Sequence, residues 1–534
     1  MPPVRASRHA VRGRRSAAVT APPSRRAAGR AGASRFGRAA VLLSAALAPM
    51  LPGPPGLAGD VAGDPLAGRS RMVDVVEEGA HRILSATCAN GLRAVAEQRP
   101  GSRTVIARIG VGVGSRDEDR NHAGISHLLE HLLFSEGHAD AGRRAPDPPA
   151  DPVVETLRAI GGIVNATTDF ETTQYDADLP ASHFEQGWDL LARLVTDARF
   201  DDDDVERERR IVLQEAALGK TDPLAIAAWS VLGDLFPGDP MGQPVIGFRR
   251  TLRRIRPEHL REHHARFYVP SNMFAVIAGD VSPSAAIDCV CGSLGRHPSP
   301  PAPRRIVAPP RARVAPSFTF RTLTRQAYLI YGALTSGETS ADAPALKLLA
   351  TILGGGRTSR LHLRLVDEEA LTRDIEAIAF EVSDVGAFGC GVAVSPRDAG
   401  RAGEILREEM LRLAREPVGD DELEKARRLL LGGAALEFET NAGIAGFRAG
   451  RLRLGLDVSR DAWRREIETI TPDALRDVAA ATWGSGRARP GDGAARAADS
   501  GDEPPRAIVE IRILPARGFG KVIAALRYLL FRRL

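Results

Sequence analysis

The run Gly124-Ile-Ser-His-Leu-Leu-Glu-His-Leu-Leu-Phe134 places the tightest constraint on how this chain folds. Ile125, Leu128, Leu129, Leu132 and Leu133 recur at helical spacing, which predicts a buried amphipathic helix. Residues four apart lie one above the other on a helix, so His127 and His131 offer two imidazoles to one metal ion. Glu130 sits one residue before the second imidazole, within reach of a water held there. Two imidazoles do not complete a catalytic zinc site, which takes three protein ligands and keeps a fourth position for water. The third must come from another element. A helix predicted from about Asp202 to Gly219 offers Glu206, Glu208 and Glu215. Glu208 and Glu215 are separated by nearly two turns and share a face, so either can point at the histidine helix.

Charge excludes one function class. The 534 residues carry a formal net charge of +5. Residues 1–59, however, hold ten Arg and no Lys, Asp or Glu, which leaves 62 basic against 67 acidic residues, a net of −5, for the remainder. No nucleic-acid partner is expected from such a chain. The leader is Arg-rich to Arg38 and apolar from Ala39 to Leu51, too short to span a bilayer and suited to the core of an export signal. A periplasmic or secreted mature protein is the expectation. A mitochondrial transit peptide, with a matrix location, is the competing reading of an acid-free, Arg-rich leader. Cys88, Cys289, Cys291 and Cys390 are read as small buried hydrophobes. Export would permit a disulfide, but the sequence does not assign one.

The chain then reads as follows. Residues 60–80 suggest a linker running into the first structured element, followed by a hairpin through Asn90-Gly91 and a strand near Thr104–Val113. The Pro-rich stretch at 138–152 reads as a surface insertion. Ile163–Thr168 and Thr172–Leu179 pair as strands, and Asn272–Ile277 forms another. Seven prolines between residues 298 and 316 mark an extended linker. The second half repeats the first in outline: a strand near Ala327–Leu334, a helix near Ala343–Leu353, then a helix-rich segment to Trp483. It holds a single histidine, His362, so a duplicated fold would carry no second metal site. The expected fold class is α+β: two homologous mixed α/β domains, each an antiparallel-rich sheet packed with helices, forming a half-shell. The expected boundaries are a leader at 1–59, a metal-binding domain at 75–292, a linker at 293–316, a metal-free domain at 317–484, a disordered linker at 485–505 and a basic tail at 506–534. A strand is possible near Ala507–Leu514. Residues 518–534 form an amphipathic, acid-free helix that docks on its own domain or a partner, or makes a peripheral membrane contact.

His-x-x-Glu-His is the inverted form of the zinc-peptidase motif. Three further stretches make the resemblance specific: Gly161-Gly-Ile-Val-Asn-Ala166 with Tyr175, Glu206-Arg-Glu-Arg-Arg-Ile-Val-Leu-Gln-Glu215, and Leu353-Gly-Gly-Gly-Arg-Thr-Ser-Arg-Leu361. Pro244-Val-Ile-Gly247 and Phe267-Tyr-Val-Pro-Ser-Asn-Met273 add to it. Over roughly residues 75–484 the chain resembles the pitrilysin/insulinase zinc metallopeptidases, nearest their mitochondrial-processing-peptidase-like two-domain branch. The resemblance implies one zinc per chain held by His127, His131 and Glu215, with Glu130 as catalytic base and Glu208 as a supporting acid. It implies that Asn165 and Ala166 present strand-edge backbone groups to a peptide substrate. His131 and Glu215 lie 84 residues apart, more than the family usually shows, and the 138–152 insertion absorbs the excess.

The implied activity is a zinc endopeptidase acting on peptides or small unfolded proteins. A processing peptidase for presequences, and a noncatalytic scaffold subunit that retains metal, are the alternatives. One departure stands out. The family's second domain carries an Arg and a Tyr that hold the substrate backbone, and the ungapped positions here are Val366 and Arg373. Arg364 lies near enough to substitute for the Arg alone. The expected partner is therefore a homologous subunit that supplies the missing pair, as in the family's heterodimers, or a second copy of the chain with relaxed substrate handling.

Overall fold

The computed structural model describes residues 70–78, 81–134, 153–219, 223–303, 317–322, 324–484 and 508–516. The leader at 1–59, the insertion at 138–152, the linker beyond residue 303, the segment at 485–505 and the tail at 518–534 lie outside the described residues.

The first half builds seven strands: β1 (Ser70–Glu78), β2 (His81–Cys88), β3 (Arg93–Gln98), β4 (Thr104–Val111), β5 (Ile163–Thr168), β6 (Thr173–Pro180) and β7 (Met273–Gly279). They form one sheet in the order β1-β2-β3-β7-β4-β6-β5, antiparallel except at β3–β7. Its helices are α1 (Ile125–Phe134), α2 (Val153–Ala159), α3 (Phe184–Thr196), α4 (Asp202–Gly219), α5 (Pro223–Leu235), α6 (Pro257–Phe267) and α7 (Pro283–Gly292). The second half builds β8 (Ser317–Thr322), β9 (Ala327–Ser336), β10 (Ile375–Glu381), β11 (Val385–Val394) and β12 (Val509–Pro515), in the order β10-β11-β9-β12-β8. Its helices are α8 (Ala343–Gly354), α9 (Ala399–Arg415), α10 (Asp420–Glu437), α11 (Asn441–Leu454), α12 (Arg460–Glu468) and α13 (Pro472–Trp483). Among the described residues no helix is long and apolar enough to cross a membrane.

Burying both faces explains why the central strands β7 and β11 carry no charged residue. In β7 every residue is buried. Met273, Ala275 and Ile277 face the core formed with α1, α3 and α7, while Phe274, Val276 and Ala278 face the opposite side. That opposite side is covered from the other half: Ile444, Ala445, Ala449 and Leu452 of α11 pack against it. The reverse also holds. Ala227, Val231, Leu232 and Leu235 of α5 pack on Tyr328, Ile511 and Ile513 of the second sheet. The halves exchange one helix each, so neither sheet buries both of its apolar faces with its own segments.

Four expectations change. Residues 70–78, read as linker, are the edge strand β1, paired along its length with β2. The segment after α8 is not wholly helical: β10 and β11 form a hairpin there, its small residues (Gly386, Gly389, Gly391) fitting a sheet covered on both sides. The strand expected near Ala507–Leu514 is present as Val509–Pro515, but instead of belonging to a separate 506–534 tail it lies between β8 and β9 inside the second sheet, where alternating Val509, Ile511 and Ile513 are buried. Finally, Cys88 and Cys291 are not simple buried hydrophobes. They form a disulfide with Cα atoms 5.4 Å apart that ties the end of β2 to α7. Cys390 is buried and Cys289 half-buried, both as free thiols.

Candidate metal centre

Helix α1 is fixed at its start by backbone contacts and hydrogen bonds. Gly124 has φ +95°, and a Cβ there would meet the Ile246 carbonyl oxygen at 2.5 Å; Gly247, φ +76°, packs as closely on Ala123. Only glycines allow the two segments to touch in this way. The Glu118 carboxylate accepts the backbone N–H groups of Gly124 and Ser126, at 2.6 and 2.8 Å, covering donors that a helix start leaves unpaired. The Ser126 hydroxyl lies 3.1 Å from Nε2 of His263 on α6. Ile125, Leu128, Leu129, Leu132 and Leu133 are buried in the core, which leaves His127 and His131 together on the face turned toward α4.

The register of α4 follows from two valines. Val205 and Val212 are buried at 1% and 0% exposure. Glu208 and Glu215 each follow a valine by three residues and so lie on the side of α4 turned toward α1, Glu208 buried and Glu215 with half of its side chain exposed. Arg209 anchors the helix by donating to the carbonyls of Leu252 and Ile255. The outcome is a convergence: Nε2 of His127 lies 3.8 Å, and Nε2 of His131 3.5 Å, from Oε2 of Glu215. The three ligand atoms fall within 4.8 Å of one another. Glu208, 4% exposed, sits on the other side of the second ring, with Oε2 3.7 Å from Nδ1 of His131. An acid at the far ring nitrogen orients a ligating histidine. Two imidazoles and a carboxylate at this separation are the donor set of a catalytic zinc, so the residues fit the ion. Glu206, the remaining candidate of the three, pairs instead with Arg209.

Electrostatics follow from burial and neighbours. Burial, then the adjacent His131, push the His127 imidazole down to about 4, so its ring is neutral at pH 7. Burial opposes charge on His131 as well, but the Glu208 and Glu215 carboxylates outweigh it and push that ring up to about 9. Glu130 is 8% exposed and its pKa is raised by burial; the Thr168 hydroxyl opposes this by donating to Oε2 at 2.6 Å.

Thr168 ends β5, and among the described residues β5 pairs only with β6. Among the described residues its outer edge is therefore unpaired, beside Glu130. Val164, Ala166 and Thr168 are half-buried on the inward side, while Ile163, Asn165 and Thr167 are exposed. Asn165 and Ala166 lie opposite Asp176 and Tyr175 of β6. The sequence reading did not single out Thr168. Its position three residues after Asn165, on the alternate face of the same strand, is the signal that would have found it.

Residues 93–247 match the family described as Insulinase (Peptidase family M16), and residues 254–430 match the Peptidase M16 inactive domain. An uncharacterized zinc protease of Mycobacterium tuberculosis is 31% identical over 400 residues, spanning 74% of this chain and 89% of that protein. One of Mycobacterium leprae is 30% identical over 405 residues, spanning 74% and 88%. The chain belongs to the insulinase family of peptidases, M16. The fold is shared with an M16-like peptidase of Alicyclobacillus acidocaldarius, with TM-score 0.69 and 20% identity over 82% of this chain and 99% of that one.

Within this M16 chain the second half preserves the helix pair and replaces its chemistry. Lys347-Leu-Leu-Ala-Thr351 on α8 stands where His127-Leu-Leu-Glu-His131 stands on α1, and α8 packs against α10 as α1 packs against α4. Arg427-Arg-Leu-Leu-Leu-Gly-Gly433-Ala-Ala-Leu436 on α10 matches Arg209-Arg-Ile-Val-Leu-Gln-Glu215-Ala-Ala-Leu218 on α4. The positions of the three ligands thus hold Lys347, Thr351 and Gly433, that of Glu130 holds Ala350, and that of Glu208 holds Ala426. Val366 is half-buried on a turn of π-helix and Arg373 is exposed. Arg364 does not stand free to replace a substrate-holding Arg, since its guanidinium pairs with Glu409 at 2.7 Å and Glu408 at 3.2 Å on α9.

Proposed function

We propose that this M16 chain is a zinc-dependent endopeptidase for peptides or small unfolded proteins, with one zinc held by His127, His131 and Glu215. The observation that carries the reading is the convergence of both Nε2 atoms on Oε2 of Glu215, with the Glu130 carboxylate alongside and held by Thr168. Zinc, when bound, polarises the scissile carbonyl and lowers the pKa of the attacking water. Glu130 takes that water's proton and delivers it to the leaving amine. His127 offers a neutral ring; His131 gives up its proton when metal enters, and Glu208 then orients its Nδ1–H. The outer edge of β5 receives an extended peptide by main-chain hydrogen bonds, with Asn165 and Ala166 at its centre.

Two further elements belong to this reading. The occupied Arg364, with Val366 and Arg373 at the clamp positions, supports a homologous partner subunit that completes substrate holding. The Arg-rich, acid-free leader and the Cys88–Cys291 disulfide support an exported, extracytoplasmic mature chain, since disulfides persist in oxidising compartments. The direct test is Glu130→Gln in the purified mature protein, assayed on an unstructured peptide with metal analysis in parallel. Zinc retained with hydrolysis lost is the expected result. Hydrolysis that persists in Glu130→Gln would refute the assignment of the base.

A further inference from the structure

Glu171 lies in the turn between β5 and β6 and is 2% exposed. Both of its oxygens are saturated. Oε1 accepts from Arg116 at 2.9 Å and from the Ser383 hydroxyl at 2.8 Å; Oε2 accepts from the Ser383 backbone N–H at 2.9 Å and from Arg453 at 3.0 Å. Ser383 sits at the tip of the β10–β11 hairpin and Arg453 on α11, so two of these three partners belong to the metal-free half. Arg116 in turn pairs with Asp384 on that same tip, and Arg453 with Glu338. The tips of the edge hairpins of the two sheets are thus bound to each other through one buried carboxylate.

The turn transmits this anchorage toward Glu130. Asp169 closes it by accepting the N–H groups of Glu171 and Thr172, each at 2.6 Å, and the Thr172 hydroxyl at 2.7 Å. Ser115 and Arg116 donate their backbone N–H groups to the carbonyls of Asp169 and Phe170. The residue before Asp169 is Thr168, whose hydroxyl holds Glu130. Three peptide bonds therefore separate Glu171 from Thr168, whose hydroxyl holds the base.

We propose that Glu171 is a positioning residue for the hydrolytic site: it fixes the β5–β6 tip to the metal-free half and, through that tip, sets the placement of Thr168 and with it the Glu130 carboxylate. The metal-free half then serves the reaction directly, because Ser383 and Arg453 hold the tip of the strand that carries Thr168. This rests on the zinc-peptidase reading of the same site.

The test is a double-mutant cycle between Glu171→Gln and Thr168→Val in zinc-loaded protein, reading kcat and KM on one peptide, zinc content, and hydrogen exchange of the amides at 165–173. Glu171→Gln should lower kcat by about tenfold or more with zinc content unchanged, and its tip amides should exchange faster. In the Thr168→Val background the same change should lower kcat by less than about twofold, because its route to Glu130 is already cut. Full multiplicative loss in the double variant, or wild-type kcat in Glu171→Gln, would overturn the proposal. Should Glu171→Gln fail to fold, Ser383→Ala removes a single donor from the far half and should move kcat and tip exchange in the same direction. A wild-type protein that binds zinc and cleaves nothing would sink the peptidase reading instead. In that case exchange decides the anchorage, and unchanged protection at 165–173 in the variants would reject it.

Discussion

Replacing Thr168 by Val removes a hydroxyl and keeps the side chain's shape. The lost bond is a 2.6 Å donation to a carboxylate oxygen of Glu130, a buried residue. Hydrogen bonds to charged groups contribute about 1.5–3 kcal/mol. If all of that orients Glu130 in the transition state, kcat falls by about 10- to 150-fold, at about 1.36 kcal/mol per factor of ten. Thr168 is bonded to none of the three proposed ligands, so zinc content should match the wild type. The pH profile carries a second sign. Burial raises the Glu130 pKa and the Thr168 hydroxyl opposes it. A base must be ionised to act, so activity rises with pH through that pKa. Losing the opposing donor raises the pKa further and moves the acid limb to higher pH. The assay is steady-state cleavage of a fluorogenic peptide between pH 5 and 9, with metal analysis of the same samples and Thr168→Ser as the rescue. A Thr168→Val protein with wild-type kcat and an unmoved acid limb would refute the reasoning.

Three other outcomes follow from buried groups. Arg448 and Glu97, both fully buried, join α11 to β3 through two hydrogen bonds at 2.8 and 3.0 Å; Glu97→Ala should cost about 3–5 kcal/mol in urea unfolding by removing the carboxylate that faces a buried guanidinium. Burial, and then Asp374, push the half-buried Glu376 up to about 7. Stability from this site is complete below the unfolded carboxyl pKa near 4.5 and is lost as pH rises through about 7; Glu376→Gln should flatten that loss and be more stable at pH 8 by roughly 2 kcal/mol, after discounting for partial exposure. The Cys88–Cys291 bridge closes a separation of 203 residues, so Cys88→Ala with Cys291→Ala should lower stability by about 2–5 kcal/mol in a denaturant titration, with reductant then giving no further effect.

The parts of this protein legible in its sequence are those whose information is local. Helix α1 is legible because burial of one face writes a 3.6-residue period, and the seven-residue spacing of Glu208 and Glu215 puts both on one face of α4, while the choice between them needs the packing of Val205 and Val212. β5 and β6 were readable from alternation and the flanking glycines. What stayed hidden depends on partners distant in the chain. Nothing near residues 70–78 announces that they pair with β2, and nothing near Val509 announces a place between β8 and β9. Cys88 finds Cys291 only because α7 passes beside β2. Nothing in the sequence of α5 announces that its apolar residues cover the other half's sheet. At the metal centre the ligands carry a motif, whereas Thr168, Glu118 and Glu171 are ordinary residues placed by strand register and turn geometry. The replaced second site was visible in principle, since Lys347-Leu-Leu-Ala-Thr351 keeps the apolar pair of the histidine helix, but only the common packing of α8 on α10 aligns the two.

The central claim is that two imidazoles from α1 and one carboxylate from α4 hold a single zinc ion. Calorimetric zinc titration of the metal-stripped protein, wild type beside Glu215→Gln and Glu206→Gln, tests it most directly. The account predicts one zinc per chain for wild type and Glu206→Gln, and affinity reduced by about 100-fold or more in Glu215→Gln. Zinc binding by Glu215→Gln with wild-type affinity and stoichiometry would contradict it.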